Sequence, residues 1–158
     1  MKKIGAIALG VVICGAIFAS NDIYANKDLA RVLDINKTNH SKSLEVLGIK
    51  ADTSKLKNLD IVTDNKGKKW VYNTFTQSNL IEEKMEQKYS KETVSSFIEV
   101  QDQIMQALAQ KGDTVPVILL NEDLSEGTFT FTRDKGKGKV VSVKLKYNDK
   151  DGTWNYKE

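Results

Sequence analysis

A change of hydrophobic period at Gly112 constrains this chain more than any other feature. Before it, Ile81, Met85 and Tyr89 step by four, with Leu80 beside them. Val94, Phe97, Ile98, Ile104, Met105 and Leu108 then recur at threes and fours, and Glu, Gln and Lys fill the opposite positions. That spacing predicts an amphipathic helix over about Asn79 to Lys111. One straight helix of that length would reach about 49 Å, too long for a domain of this size. Two helices with a bend at Tyr89-Ser90 are expected instead, with Ser90 capping a helix that starts at Lys91 and Gly112 ending it.

Beyond Gly112 the period is two. Val115-Pro116-Val117-Ile118-Leu119-Leu120 reads as a buried strand with its proline near the start. Thr128 to Thr132 sets Phe129 and Phe131 on one face and threonines on the other. Val141, Val143, Leu145 and Tyr147 alternate with Ser142, Lys144 and Lys146, and Trp154 and Tyr156 share a face after a turn at Asn148 to Gly152. Four strands joined by tight turns make an antiparallel meander with one oily face, which the helix covers. Upstream, Leu59 to Thr63 and Lys69 to Phe75 flank Asp64-Asn65-Lys66-Gly67, the signature of a β-hairpin. Its alternation puts Trp70 and Tyr72 on one face and Val71 and Phe75 on the other. The fold class is therefore α+β.

A helix followed by a four-stranded meander over residues 79 to 158 resembles cystatin-like and NTF2-like element order, in which a curved sheet wraps a helix. The Gln-x-Val-x-Gly segment of cystatins is missing. Architecture of this kind hosts enzymes, inhibitors and binding modules alike, so function has to be argued from residues.

The N-terminus addresses the compartment. Lys2 and Lys3 precede Ile4 to Ala19, sixteen residues without a charge, and Ser20-Asn21-Asp22 follow. This is the layout of a secretory signal peptide over residues 1 to 25, with cleavage after Ala25 preferred and Ala19 as the other site. Two rivals remain. A retained membrane anchor would cover about 24 Å of the roughly 30 Å hydrocarbon core. A lipoprotein would carry lipid on Cys14, where Ile13 stands in place of the usual small residue. Residues 26 to 58 read as a polar arm, partly helical or mobile. In it Leu29, Val32 and Leu33 suit one short helix, and Leu44 and Leu47 suit another that stops at Gly48. Ser54 to Leu59 offers one more turn. Residues 59 to 158 form a single α+β domain.

Removing residues 1 to 25 takes Lys2, Lys3 and Asp22 from 24 basic and 21 acidic side chains, leaving a net charge of +2. Net charge alone thus gives no reason to expect nucleic acid or an anionic membrane as partner. Cys14 is the only cysteine and His40 the only histidine. The mature chain is left without a thiol nucleophile, a thiolate zinc site or a multi-histidine metal site. His40, in the polar run Thr38-Asn39-His40-Ser41, is expected to be an exposed loop residue. Glu82-Glu83, Glu92 and Glu99 fall on the wet face of the helix, where solvation is the ordinary role of an acid.

The remaining candidates concern binding. Asp149-Lys150-Asp151-Gly152 with Glu158 matches part of a calcium loop, but a strand follows where a helix should start, so a hairpin turn is expected and no metal or cofactor. Trp70, Trp154 and Tyr156 are candidates for an aromatic platform, although core or edge cover is the ordinary role of such rings in a small sheet protein; on the platform reading, alanine at Trp154 and Tyr156 would weaken binding without unfolding. Lys135, Lys137 and Lys139 read first as a solvated hairpin tip, lacking Walker spacing and a following helix, and with Lys144 and Lys146 nearby they are also candidates for a basic patch facing phosphate or a wall polymer. The function expected is that of an exported, non-enzymatic binding or inhibitor-like domain at the cell envelope or outside the cell. Its partner would be another protein or a cell-wall polymer, with membrane contact only through an uncleaved N-terminal segment. The alternatives are a small enzyme with a helix–sheet pocket and a membrane-tethered assembly protein.

Overall fold

The computed structural model describes residues 40–158. The proposed signal segment, its cleavage sites and the arm as far as Asn39 lie outside the described residues. The elements are α1 (Ser41–Val46), β1 (Ile61–Thr63), β2 (Lys69–Thr74), α2 (Ser78–Glu86), α3 (Lys91–Leu108), β3 (Val117–Asn121), β4 (Glu126–Thr132), β5 (Val140–Asn148) and β6 (Thr153–Lys157), with single turns of 3₁₀ helix at Phe75–Gln77 and Asp134–Gly136. The six strands form one antiparallel sheet in sequence order. This is an α+β fold. The likeness to cystatin-like and NTF2-like element order is not confirmed: the hairpin and the meander are one sheet, and the helices cross over between β2 and β3.

The break between α2 and α3 falls where the pattern put it. Ser90 is the N-cap, its hydroxyl accepting from the Thr93 N–H. The helix ends at Leu108, four residues before Gly112, because Ala109 turns extended and the Asp113 carboxylate accepts from the Gln110 N–H at 2.7 Å. The β1–β2 turn is organised by Asp64. Its carboxylate accepts from the Lys66 and Lys68 N–H groups at 2.9 Å and from the Trp70 indole N–H at 3.0 Å. Ser54 to Leu59 forms turns and irregular chain, with no helix.

The expectation of one oily face needs correction. On one side of the sheet α2 and α3 bury Val71, Ile118, Leu120, Phe129, Phe131, Val143, Leu145 and Trp154 against Ile81, Phe97 and Ile104. On the other side, Leu44 and Ile49, each 1 % exposed, pack with Val62, Tyr72, Val117 and Leu119. Strand β3 is consequently buried on both faces, which is why it reads as an unbroken apolar run rather than an alternating one. The threonines of β4 are buried as well, with Thr132 and Ser43 hydroxyls 3.1 Å apart and Thr130 donating to the Val141 carbonyl at 3.0 Å. Gly48 has φ +74, and a side chain there would run into Asn65, so the end of α1 fits closely against the hairpin turn.

Gly127 of β4 is the tightest point of the sheet. A Cβ at this position would meet the Leu119 carbonyl oxygen at 2.1 Å and Leu120 Cδ2 at 2.6 Å. Because one of these atoms is backbone, the strands themselves must separate to admit a methyl group. Gly127→Ala is expected to lower unfolding free energy by about 2–3 kcal/mol, read from urea or guanidinium denaturation. An unchanged midpoint would mean that β3 and β4 approach less closely.

Candidate binding surfaces

The strand registers decide which sequence-derived site residues meet. One row across the sheet runs Val71, Leu120, Gly127, Leu145, Tyr156. Tyr156 and Trp154 therefore lie on the helix side, while Trp70 lies on the arm side with Tyr72. The three aromatic residues do not come together as a platform. Trp154 is 2 % exposed, with its ring edge-on to Phe97 at 5.0 Å and tilted against Tyr147 at 5.9 Å. Trp70 is half-buried, bonded to Asp64, with the Lys68 ammonium 4.3 Å from its ring centre. Local alternation assigns each aromatic to a face of its own strand but does not relate one strand's faces to another's.

Lys135, Lys137 and Lys139 are exposed together at the β4–β5 turn. The turn is closed by its own backbone, with the Arg133 N–H donating to the Lys139 carbonyl at 3.0 Å and the Gly138 N–H to the Arg133 carbonyl at 2.9 Å. Lys42 of α1 reaches it, donating to the Lys137 carbonyl at 2.9 Å. At the other hairpin, Asp151 accepts from the Thr153 hydroxyl at 2.6 Å and from Asn148 at 2.9 Å. The carboxylate that a calcium loop would need is thus spent on closing a turn. Among the described residues no group of three or more His, Cys, Asp or Glu side chains is placed to hold a metal ion.

His40 departs most from expectation. It is 2 % exposed rather than a loop residue in water, and its Nδ1 lies 2.8 Å from the Tyr72 hydroxyl. The helical spacing of His40, Leu44 and Leu47 carries the signal, because positions i, i+4 and i+7 share one face. Docking α1 over β4 and β5, with Leu44 packed among Tyr72, Val117 and Leu119, takes His40 in with the two leucines. Burial lowers the His40 pKa to about 4, with the backbone of Val115 pulling the other way, although Nε2 makes no hydrogen bond of good geometry. Burial raises the Tyr72 pKa to about 12. At neutral pH both are uncharged, joined by one hydrogen bond. A histidine titrating near 4 beside a phenol near 12 is a poor base–nucleophile pair at pH 7, and the geometry suits a clasp that fastens the arm to β2.

The clasp stands at the base of an open groove of about 840 Å³. Residues 53–58 of the arm form one wall, Gln77 and Leu80 the other, and Tyr72 and Thr74 the floor. Asn58 ties the walls together. Its side-chain carbonyl accepts from the Thr74 N–H at 2.7 Å, and its amide donates to Gln77 Oε1 at 2.9 Å. The lining alternates hydroxyl, amide and aliphatic groups (Thr53, Leu56, Asn58, Leu80), and Lys57 supplies its one charge at neutral pH. No protein family model matches the chain, and no curated protein or solved structure shows significant similarity to it.

Proposed function

We propose that this chain is an exported, non-enzymatic binding domain that works at the cell envelope or outside the cell, and that the groove beside the arm receives an extended segment of another protein. The observation that carries this reading is the groove itself, held open by Asn58 between arm and α2. Amide and hydroxyl groups between two leucines suit a peptide, whose backbone needs hydrogen bonds and whose side chains need apolar contact. Export rests on the charged start and apolar run of residues 1 to 25.

The enzyme alternative draws less support. It asks for a pocket between helix and sheet, and that interface is packed with Phe97, Ile104, Phe129 and Phe131. Gln101 is buried as well, its amide N–H turned to the Phe97 carbonyl of its own helix at 3.3 Å and its Oε1 without a hydrogen-bond partner among the described residues. The tethered alternative differs in one observable, whether residues 1 to 25 stay on the chain.

Two measurements test the proposal. An intact mass beginning at Asn26 or Ser20, in medium or wall fractions of producing cells, is expected for a free exported domain; a full-length chain in the membrane fraction would favour the tether. A photo-crosslinking amino acid at Leu56 or Leu80 is expected to give one discrete protein adduct in that compartment, with none from the same probe at Lys150. Equal yields from all three positions would sink the groove as the binding site.

A further inference from the structure

We infer that the arm-side face of β5 and β6 is a docking track for a linear, phosphate-bearing polyanion. The near-balanced net charge conceals a strong segregation. Residues 78 to 108, the helix layer, carry six acidic and three basic side chains, whereas residues 133 to 158 carry eight basic and four acidic ones. Val143 and Leu145 face the helices, so Lys144 and Lys146 project from the opposite face, exposed. Lys157 lies directly across from Lys144 in the β5–β6 ladder. Like charges in that position repel, and among the described residues none of the three forms an ion pair within 4.0 Å. The carboxylate nearest in register is Glu126, across from Lys146, and it is already paired with Lys68.

The row continues to the turn. At the head of β5 Lys137 marks the arm side, where Lys42 donates to its carbonyl, with Lys135 beside it in the turn, while Lys139 shares the parity of Val141 and Val143 and points toward the helix side. From Val140 to Lys146 the strand extends about 20 Å at roughly 3.3 Å per residue. Asp134 lies in the turn at the head of β5, Glu158 follows Lys157, and Asp149 and Asp151 lie in the turn just beyond Lys146, where Asp149 and Lys146 line one shallow depression.

The shape of the face selects a chain over a membrane. Helix α1 rests on β4 and β5 on this same side, and a helix with its side chains is about 10 Å thick. A flat bilayer would meet α1 first and stand off from Lys144, Lys146 and Lys157. A flexible polymer can lie along the foot of α1 and reach the whole row. The aromatic side chains of β5 and β6 (Tyr147, Trp154, Tyr156) face the helices, leaving no rings on which bases would stack. Ammonium groups without arginine forks or rings recognise charge and spacing rather than sequence. The inference stands apart from the groove, which opens beside α2.

Inorganic polyphosphate is the probe, with the full exported chain as the protein. About five ammonium–phosphate contacts should make log K fall against log salt with a slope near −3.5, a loss of roughly a hundredfold between 50 and 200 mM. The triple variant Lys144→Gln, Lys146→Gln, Lys157→Gln is expected to bind at least about tenfold more weakly at 50 mM and to flatten the slope by about 2. Lys84→Gln, Lys88→Gln, Lys91→Gln makes the same change of charge in the helix layer, away from this face, and should stay within about twofold of wild type. If the strand variant fails to fold, Lys42→Gln, Lys135→Gln, Lys137→Gln at the head of β5 takes its place, with the same weakening expected. Equal loss from the control triple, or none from either of the others, overturns the track. Tighter binding to phosphatidylglycerol vesicles or to single-stranded DNA overturns it in favour of a bilayer or a nucleic acid.

Discussion

Trp154→Ala is expected to destabilise the domain by about 3–5 kcal/mol, the largest effect of any single truncation here. The indole is 2 % exposed and wedged between Phe97 of α3 and Tyr147 of β5. The Trp154 N–H also donates to the Ser96 hydroxyl at 2.9 Å, so β6 is pinned to α3 by backbone and side chain together. Removing the ring opens a void that rigid neighbours on strand and helix cannot fill. A fall in Tm of roughly 10–20 °C follows for a domain of this length.

Trp154→Phe separates volume from polarity. The indole Nε1 is buried without a hydrogen-bond partner among the described residues, and an unmet donor costs about 1–3 kcal/mol. Phenylalanine loses volume but sheds that donor, so its net cost should be near 1 kcal/mol. A phenylalanine variant as unstable as the alanine variant would mean that the indole N–H has a partner in solution. Tyr156 is half-buried at the end of the same strand, packed against the helix-side cluster, and its alanine variant should cost well under half as much. Any binding lost on changing Trp154 therefore has to be measured per folded molecule.

Local pattern revealed the elements and missed what joins them. The hairpin around Asp64, the break at Ser90 and the alternation of β5 are each written in a dozen neighbouring residues, because period and capping are short-range properties. The pairing of Val71 with Leu120 spans the whole helical crossover, and no local period encodes it. Without that pairing, nothing in the sequence keeps Trp70 and Trp154 from sharing a face. The arm was harder still. Thr128, Thr130 and Thr132 look like a wet face until α1 is laid over them. Thr132 and Thr130, whose hydroxyls are satisfied by Ser43 and by the Val141 carbonyl, tolerate burial as well as exposure, while the Thr128 hydroxyl is buried without a partner among the described residues. The lysine track was half legible: Lys135, Lys137, Lys144 and Lys146 are close in sequence, whereas Lys42 and Lys157 joined only through tertiary contact and strand register. The groove left no mark, since its walls come from residues 53–58 and from Gln77 and Leu80, separated by the hairpin.

Mild acid is expected to destabilise the domain through His40 before Asp52, Asp64 and Glu92 take up protons. The folded pKa of about 4 lies below the ordinary 6.5, so between those values the unfolded chain binds a proton that the folded chain refuses. Stability is then greatest above pH 6.5 and falls as pH drops towards 4. The full difference is on the order of 3 kcal/mol at 1.36 kcal/mol per unit. Asp64, held down chiefly by the Trp70 indole N–H, Asp52, held down chiefly by the Ser54 hydroxyl, and Glu92, held down chiefly by its own backbone N–H, also lose stabilising contacts on protonation. Those pKa values lie below the ordinary carboxylate range, so their losses belong to more acidic solutions and are small at such exposed positions. Unfolding free energies at pH 7, 6, 5 and 4.5 should thus trace a slope for the wild type and a nearly flat line for His40→Gln, which keeps a group able to bond the Tyr72 hydroxyl but does not titrate. Because His40 enters the fold only when α1 docks on the sheet, a wild-type profile as flat as the variant's would mean that the arm stands off the sheet in solution. The groove would then lack one of its walls, and the proposed binding site would fall with it.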